Sequence, residues 1–188
     1  MSSFVERLVA RLPARDVRPP DDGRKRAAVA ALVHDDPGGP RVLLMKRIDR
    51  DGDPWSGHIS LPGGGFHPTD GDLLATAIRE TSEELGLDLH ATRYVGPLPV
   101  LQPLTAGPQG IEVTPFVFVT PAELATTPGP EALSAFWLPL ELAAAGTYDS
   151  TFTYPGTERT FPSWNYEGFT IWGMTWRILG DLLSAGRP

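Results

Sequence analysis

RETSEELG, at residues 79–86, closes a segment whose apolar spacing predicts an α-helix. Thr69 or Asp70 is a suitable N-cap residue, and Thr69 followed by Asp72 forms a capping-box pattern. Gly86 is the kind of residue that commonly ends a helix. The residues whose 4-3-4 spacing predicts one buried stripe along the helix are Leu74, Ile78, Thr81 and Leu85. The segment therefore predicts a central amphipathic helix.

The same helix gathers three acids, Glu80, Glu83 and Glu84, within an arc of about 100° that faces away from the predicted stripe. Like charges three and four residues apart repel, and acids near a helix C-terminus also oppose the helix dipole. Arg79 relieves this only in part, from four residues before Glu83. A solvated acidic face is one interpretation. We favour a site for divalent cations, because carboxylate oxygens suit Mg²⁺ or Mn²⁺ and because a local rule broken this often indicates function.

A run of three glycines, Gly63 to Gly65, precedes the helix and ends fourteen residues before Arg79. Glycine lets the backbone approach a ligand closely and leaves its N–H and C=O groups unhindered. The GxxxxGK[ST] motif of P-loop nucleotide triphosphatases is absent from the sequence. The combination of a glycine turn and a following acidic helix therefore indicates a different type of phosphate site.

The composition limits the classes of protein to consider. A chain of 188 residues with 41% hydrophobic content fits a single domain over residues 1–188. Without cysteine it has neither a disulfide framework nor thiol chemistry. The net charge of −7 argues against nucleic-acid binding, and no apolar run reaches the roughly 20 residues of a membrane span. The first fifteen residues lack the apolar core of a secretory signal, so we expect a cytoplasmic protein.

The remaining pattern predicts strands and helices in alternation. Amphipathic helices are predicted at about 3–12 and at 173–186. Buried strands are predicted at 26–34, 41–48, 93–101 and 111–119, with a further strand around 136–138. The segments interpreted as loops are 49–58, 102–111 and 146–168. Mixed strands and helices of this kind indicate an α/β sandwich.

Residues 64–87 resemble the Nudix box, in which a glycine, five residues, a glutamate and seven residues precede REUxEExGU, with U aliphatic. Arg79 to Leu87 match its second half, apart from Thr81 at an aliphatic position. Asp70 stands in place of the first glutamate, and eight residues rather than seven separate it from Arg79. The resemblance implies a Nudix-type α/β/α sandwich with a mixed β-sheet between helices.

The inserted residue, within the string PGGxxxPTDxDxxxTAxRE, is similar to the Nudix branch that hydrolyses coenzyme A. SGHISLPGG at 56–64 resembles SGQxSFPGG of that branch, and TIWGMTWRIL at 170–179 resembles IWGxTAxIL. That branch also carries arginine in the loop before SGQ. Arg47 begins the comparable stretch here, but the loop is one residue longer and the expected later arginine is out of register, with Arg50 as the candidate substitute. The resemblance implies hydrolysis of coenzyme A or acyl-CoA to adenosine 3',5'-bisphosphate and phosphopantetheine.

The resemblance also implies roles for particular residues. The ligands of Mg²⁺ or Mn²⁺ would be Glu80, Glu83, Glu84 and the backbone carbonyl of Gly64. Arg79 would orient these glutamates through salt bridges. Glu83 is the first candidate for the general base, with Glu112 and Glu167 behind it. The candidate contacts for a small nucleotide substrate are Lys46, Arg47, Trp55, His58, Gly63 and Gly65.

Other residues have two interpretations each. The tryptophans for which core or dimer packing is favoured, with adenine stacking as the alternative, are Trp137, Trp164, Trp172 and Trp176. His67 is a candidate contact for metal-bound water or for substrate, against an ordinary loop residue. The aromatic segment 161–176 could serve a homodimer.

Two other functions are compatible with the box. The box binds only pyrophosphate and metal, so ADP-ribose, NADH and oxidised nucleotide triphosphates stay open as substrates, and the three predicted loops would choose among them. A Nudix scaffold can also be a non-catalytic ligand-binding module. Such a module would be expected to lose one or more box glutamates, whereas this sequence keeps all three.

Overall fold

The computed structural model describes residues 2–15, 17–50, 56–102 and 110–188. Trp55 and most of the predicted loop 102–111 lie outside these residues. The helices are α1 (Ser3–Arg11), α2 (Leu73–Leu85), α3 (Leu140–Ala144) and α4 (Gly173–Gly186). The strands are β1 (Lys25–His34), β2 (Arg41–Arg47), β3 (Ile59–Ser60), β4 (Gly63–Gly65), β5 (Arg93–Pro97), β6 (Ile111–Thr120), β7 (Ala132–Pro139), β8 (Asp149–Thr153), β9 (Thr160–Tyr166) and β10 (Phe169–Trp172). No helix in the described ranges is long and apolar enough to cross a membrane.

The main sheet is mixed, as predicted. Within the described residues it has seven strands in the order β3-β2-β1-β6-β5, with β4 paired to β1 and β7 paired to β2. β1 and β6 run parallel over their whole length, from Lys25 beside Ile111 to His34 beside Thr120. The other pairs are antiparallel. The parallel pair is the centre of the sheet, and it is buried on both faces as parallel strands usually are.

Strand alternation divides the core between two layers of helices. Ala28, Ala30 and Leu32 of β1 pack on the face that carries α2. Ala31 and Val33 pack on the opposite face, with α1 and α4. Because successive side chains of a strand point to opposite faces, one run of small apolar residues serves both layers. The α/β/α sandwich with a mixed sheet is confirmed.

A second sheet replaces most of the loop predicted at 146–168, so that prediction is wrong. β8, β9 and β10 form an antiparallel sheet of three strands in the order β10-β9-β8. Its strands escaped detection because β8 is short and polar and β9 contains Pro162. The β9–β10 turn uses Glu167 and Gly168, both at positive φ (50° and 83°), without the Asn-Gly or Asp-Gly pair that signals such turns.

The central helix begins later than predicted. Its N-cap is Asp72, which accepts a hydrogen bond from the first turn, rather than Thr69 or Asp70. Residues 68–70 instead form a separate 3-10 turn. Gly71, at φ 81°, divides the two, because this left-handed conformation interrupts helical hydrogen bonding.

The buried face of α2 is also rotated from the predicted stripe. Leu74 and Ile78 are only partly buried, at the margin of the core. The residues that α2 buries are Leu73, Thr76, Ala77, Thr81, Glu84 and Leu85. Glu84, predicted to face outward, is therefore inside. α2 packs against β1 and β4, and the glycines of β4 leave room for a carboxylate on that side.

Asp70 joins the 3-10 turn to the middle of α2. Its carboxylate accepts hydrogen bonds from Arg79 Nε at 2.8 Å and Nη2 at 3.1 Å, and from the Thr76 hydroxyl at 2.8 Å. The Asp70 side chain is 4% exposed, so this ion pair is shielded from water. Hydrogen bonding from Arg79 lowers the pKa of Asp70 to about 2.

We expect Asp70→Asn to lower the free energy of unfolding by about 1–2 kcal/mol at neutral pH, because the charged partner of Arg79 is lost. A depressed folded-state pKa stabilises the protein above the unfolded pKa. That contribution is lost as the pH falls towards about 2. Urea denaturation across this range should show a smaller acid-dependent loss in the variant. Asn at the exposed Asp21 is the control, and equal acid profiles for Asp70→Asn and the unaltered protein would contradict the prediction.

Candidate active site

The glutamates of α2 meet the glycines of β4 across the edge of the main sheet. The backbone N–H of Gly63 donates to Glu84 Oε2 at 2.8 Å. A Cβ added at Gly64 would lie 2.5 Å from the Glu80 carboxylate carbon. We call Glu80, Glu83 and Glu84, together with the β4 glycines beside them, the glutamate site.

Gly63 and Gly64 are glycines for different reasons. Gly63 has φ 148°, and a Cβ there would collide with the backbone of Ala28 and Val29 in β1. Gly64 has to leave space for Glu80. Gly65 has open space around its Cα, and its carbonyl accepts from Arg79 Nη2 at 3.3 Å. The first two glycines therefore shape the site, while the third contributes a backbone acceptor.

Glu84 is the most deeply placed acid of the glutamate site, with a side chain 3% exposed. Burial raises its pKa to about 7, against the opposing hydrogen bond from Gly63. The negative charge of Glu80 raises the pKa further, and Arg47, with Nη1 3.9 Å from Glu84 Oε1, lowers it. A carboxylate buried beside another and balanced by one cation at this distance is electrostatically costly.

Arg79 contacts Asp70 and the other two glutamates of the site. Its Nη1 lies 2.9 Å from Glu80 Oε1 and 3.1 Å from Glu83 Oε2, while its Nε binds Asp70. Burial raises the pKa of Glu80, and Arg79 opposes that rise. Glu83 is the most exposed of these acids, at 60% of its side chain. The arginine holds two of the three glutamates while leaving Glu84 to Gly63 and Arg47.

The residues of the glutamate site fit a divalent cation chemically, although no three acidic or histidine side chains of the described chain form a preformed metal cluster. Arg79 accounts for this, because it draws Glu80 and Glu83 towards its own guanidinium. Carboxylates and backbone carbonyls are the oxygen ligands that Mg²⁺ and Mn²⁺ prefer. A cation here would also favour the ionised form of Glu84, which burial disfavours.

A fourth acid, Glu131, was missed by the sequence analysis. Its negative charge acts on both Glu80 and Glu84, raising the pKa of each. Arg50 Nη1 holds the Glu131 carboxylate at 3.0 Å. Glu131 lies 47 residues after Glu84 in a segment without regular pattern, so only the tertiary structure brings it to the glutamate site.

The segment before Glu131 also closes the end of α2. The backbone N–H of Thr127 donates to the Leu85 carbonyl, and that of Gly129 donates to the Glu84 carbonyl, each at 2.8 Å. A side chain at Gly129 would collide with the Glu83 carbonyl oxygen. These donors satisfy carbonyls that a helix C-terminus otherwise leaves unpaired. They also offset part of the unfavourable interaction between the acids and the dipole of α2 at its C-terminus.

The candidate substrate contacts divide into two groups: Arg47 and His58 are neighbours, whereas Lys46 and His67 lie elsewhere. Arg47 and His58 lie side by side, because the Arg47 N–H donates to the His58 carbonyl at 3.0 Å, and Arg47 reaches Glu84. Lys46 precedes Arg47 in β2, and strand alternation turns it towards the opposite face of the sheet. His67 caps the 3-10 turn through Thr69. Arg47 is thus the side-chain candidate that contacts the glutamate site, and the ring of His58 beside it packs against Trp172.

The alternative bases lie apart from this arrangement. Glu112 in β6 is held by Arg24 at 2.8 Å and by Arg26 at 3.2 Å, one arginine on each carboxylate oxygen. Glu167 occupies the exposed β9–β10 turn.

Thr81, which stands at the aliphatic position of the box, is buried and donates to the Ala77 carbonyl at 2.7 Å. Its hydroxyl is satisfied within the helix, so the substitution is compatible with burial.

The predicted tryptophans occupy two environments. Trp137 and Trp164 are buried in the core, as favoured. Trp172 and Trp176 are partly exposed. Core packing is therefore confirmed for Trp137 and Trp164, and Trp176 also packs against the core, whereas Trp172 still has surface available for a ligand.

Solved structures with a similar fold include an Ap4A hydrolase binary complex from C. elegans, with a TM-score of 0.53 and 21% identity over 64% of this chain and 83% of that chain. Another is a bifunctional NMN adenylyltransferase/ADP ribose pyrophosphatase complexed with AMP and Mn ion from Francisella tularensis. Its TM-score is 0.58 and its identity 15%, over 90% of this chain and 44% of that chain. At these identities the likeness concerns the fold.

The sequence is 35% identical over 131 residues to an uncharacterized Nudix hydrolase, NudL, of Salmonella paratyphi B. That similarity covers 68% of this chain and 66% of the relative, slightly under two thirds of the relative's length. The model of the NUDIX domain matches residues 24–155, a range that contains β4, α2 and all three glutamates of the site. The chain belongs to the Nudix family.

Proposed function

We propose that the protein is a metal-dependent pyrophosphohydrolase that cleaves the pyrophosphate bond of a nucleoside diphosphate derivative. The observation that carries the proposal is the burial of Glu84 beside Glu80, with a pKa of about 7 and with Arg47 Nη1 at 3.9 Å from its carboxylate. Such a group of carboxylates is stabilised when a divalent cation binds. The membership of the Nudix family supports the same function.

In this proposal Glu80, Glu83, Glu84 and the Gly64 carbonyl hold Mg²⁺ or Mn²⁺. A bound divalent cation would polarise the phosphoryl oxygens and lower the pKa of water. Arg79 keeps Glu80 and Glu83 within reach of the site through its two contacts and is itself fixed by Asp70. Arg47 adds a positive charge beside Glu84, where an anionic pyrophosphate would bind.

Glu83 is the residue that we propose as general base. It is the most exposed glutamate of the site, so its carboxylate can meet a water molecule that approaches from solvent. Glu112 is disfavoured because both of its oxygens are held by arginines. Glu131 is a further carboxylate near the site, restrained by Arg50.

Coenzyme A or an acyl-CoA is the substrate that we propose. The segments at 56–64 and 170–179, whose sequences suggested this branch, contact each other in the structure, and the Thr175 hydroxyl donates to the Ile59 carbonyl at 2.9 Å. The first contains His58 and leads into β4, and the second contains Trp172, which contacts His58 at 5.1 Å between ring centroids. In the reaction, water oxygen bonds to phosphorus as the bridging P–O bond breaks, giving adenosine 3',5'-bisphosphate and phosphopantetheine.

ADP-ribose, NADH or another nucleotide is the alternative substrate class. Its support is the ion pair between Arg50 and Glu131, because Arg50 is the candidate substitute for the later arginine of the coenzyme A branch and is already engaged. The Francisella tularensis and C. elegans structures, named for ADP-ribose and Ap4A chemistry, show that the fold also serves such ligands. A non-catalytic binding module is less supported, since all three glutamates are present. A cytoplasmic location and a homodimer stay predictions.

Glu84→Gln should lower turnover by at least about 100-fold and weaken Mn²⁺ binding, because the amide removes a charged oxygen ligand. Steady-state rates at saturating metal, and Mn²⁺ titration followed by electron paramagnetic resonance, measure the two effects. Gln at the exposed Glu123 is the matched control. Turnover near that of the unaltered protein in Glu84→Gln would show that the ligand assignment is wrong.

Without metal, Glu84→Gln should be more stable than the unaltered protein at alkaline pH. Burial raises the folded-state pKa of Glu84, so its ionisation costs folding free energy that appears as the pH rises towards about 7. We expect Glu84→Gln to raise the free energy of unfolding by about 2 kcal/mol near pH 8 and to change it little near pH 4. Urea denaturation with a chelator present measures this. A destabilised variant near pH 8 contradicts the electrostatic account of the site.

The substrate is tested by product analysis. Coenzyme A, acetyl-CoA, ADP-ribose, NADH and 8-oxo-dGTP are offered in parallel with Mg²⁺ or Mn²⁺, and products are separated by HPLC. We expect adenosine 3',5'-bisphosphate and phosphopantetheine to form faster than any other product. Preferential cleavage of ADP-ribose or NADH would transfer the assignment to the alternative class. Metal-dependent turnover of none of them would favour the non-catalytic module.

A further inference from the structure

The second sheet carries aromatic side chains on both of its faces. On one face Trp164 and Ile171 are buried in the core, and Phe169 stacks on Phe136 with ring centroids 4.7 Å apart. This face is accounted for by packing, because it attaches the second sheet to the main one. The opposite face has no comparable role in the core.

That opposite face presents an aromatic cluster, defined as Phe152, Tyr154, Phe161 and Trp172. The strand registers place Phe152 opposite Phe161, and Trp172 opposite Ser163 two residues along β9, so the cluster shares one face. Trp172 stacks on Phe152 at 4.2 Å and meets Phe161 at 5.7 Å and Tyr154 at 5.9 Å. All of these side chains stay partly exposed, and Tyr154 is 38% exposed. Cross-strand aromatic pairs stabilise a sheet, but stability alone does not require exposed aromatic surface.

The aromatic cluster contacts His58, which lies beside Arg47. His58 packs edge-on against Trp172, with ring centroids 5.1 Å apart. Its carbonyl accepts from the Arg47 N–H, next to the β2–β3 ladder in which Lys46 pairs with Ile59. Arg47 Nη1 in turn lies 3.9 Å from Glu84 Oε1. The sequence of contacts runs from Glu84 through Arg47 and His58 to Trp172.

The two ends of this row have complementary chemistry. At one end, acids and Arg47 suit a metal-bound pyrophosphate. At the other end, π-surface suits a planar uncharged ring, since bases stack on aromatic side chains with useful affinity. A nucleoside diphosphate has these two parts in one molecule, a polyanion joined to a planar heterocycle.

We propose that the aromatic cluster, with His58, is the subsite that receives the nucleobase of the substrate. The proposal rests on the proposed pyrophosphohydrolase function and deepens it by assigning the substrate's aromatic part to a surface that the box does not contain. Trp172 and His58 are specificity-determining residues in this arrangement. They do not act on the reacting phosphorus.

The test compares ligands with and without a base. Dissociation constants of ADP and of methylenediphosphonate are measured by isothermal titration calorimetry with the same Mg²⁺ concentration. Trp172→Leu should weaken ADP binding by roughly ten-fold, the effect of losing one stacked base, and change methylenediphosphonate binding by less than about two-fold. Trp172→Phe, which keeps a π-face, should restore ADP affinity to within about three-fold of the unaltered protein.

Two controls separate binding from folding. Phe169→Leu lies on the core face of the same sheet and should leave the ratio of the two affinities unchanged, whatever it does to stability. Tyr154→Ala, at the most exposed ring of the cluster, should weaken ADP alone and keeps the test valid if Trp172→Leu fails to fold.

Several outcomes would overturn the proposal. Equal weakening of both ligands by Trp172→Leu, or an unchanged ADP affinity, would make the cluster purely structural. Weaker binding of 4'-phosphopantetheine with unchanged ADP would assign the cluster to the other half of the substrate. If methylenediphosphonate bound the unaltered protein as tightly as ADP, the nucleobase subsite would be refuted while the pyrophosphate site would stand. Failure of both ligands to bind with metal present would refute the pyrophosphate site as well.

Discussion

The hydrogen bond from the Gly63 N–H to Glu84 is the contact on which the site depends. It exists because β4 has no side chains, which lets α2 approach the sheet with an acid on its inner face. The carboxylate thereby loses most of its water while keeping one backbone donor and a distant arginine. The resulting electrostatic cost is what binding a cation would remove, so the site is destabilised locally in favour of its function.

Arg79 connects the charged groups of the site to the residues that precede α2. One guanidinium binds Asp70 at the beginning of the helical segment and Glu80 and Glu83 near its end. The residue at the departure from the Nudix pattern, Asp70 in place of glutamate, is thus part of the framework that fixes the arginine. Arg79 therefore has both a structural and an electrostatic role: its ion pair with Asp70 fixes the guanidinium, and the fixed guanidinium contacts Glu80 and Glu83.

The site is extended on two sides by residues distant in sequence. The segment that ends at Glu131 closes the C-terminus of α2 through Gly129 and brings a further acid, with Arg50, to the same region. On the other side, Arg47 and His58 connect the acids to the aromatic face of the second sheet. These contacts join the acids to the aromatic rings, an arrangement that the proposed ligand, with its anionic and planar parts, would fit.

By itself the sequence determined the central helix, its three acids, the glycine turn and most strands of the main sheet, because these follow from local spacing. Only the tertiary structure decided that Glu84 is buried, since the inner face of α2 is chosen by a glycine strand 21 residues earlier. The sequence pattern did not predict Glu131 or the second sheet, because the acid follows an irregular segment, β8 is short and polar, and β9 contains Pro162. Local periodicity reports which residues can share a face, whereas the packing of distant segments decides which face is inside.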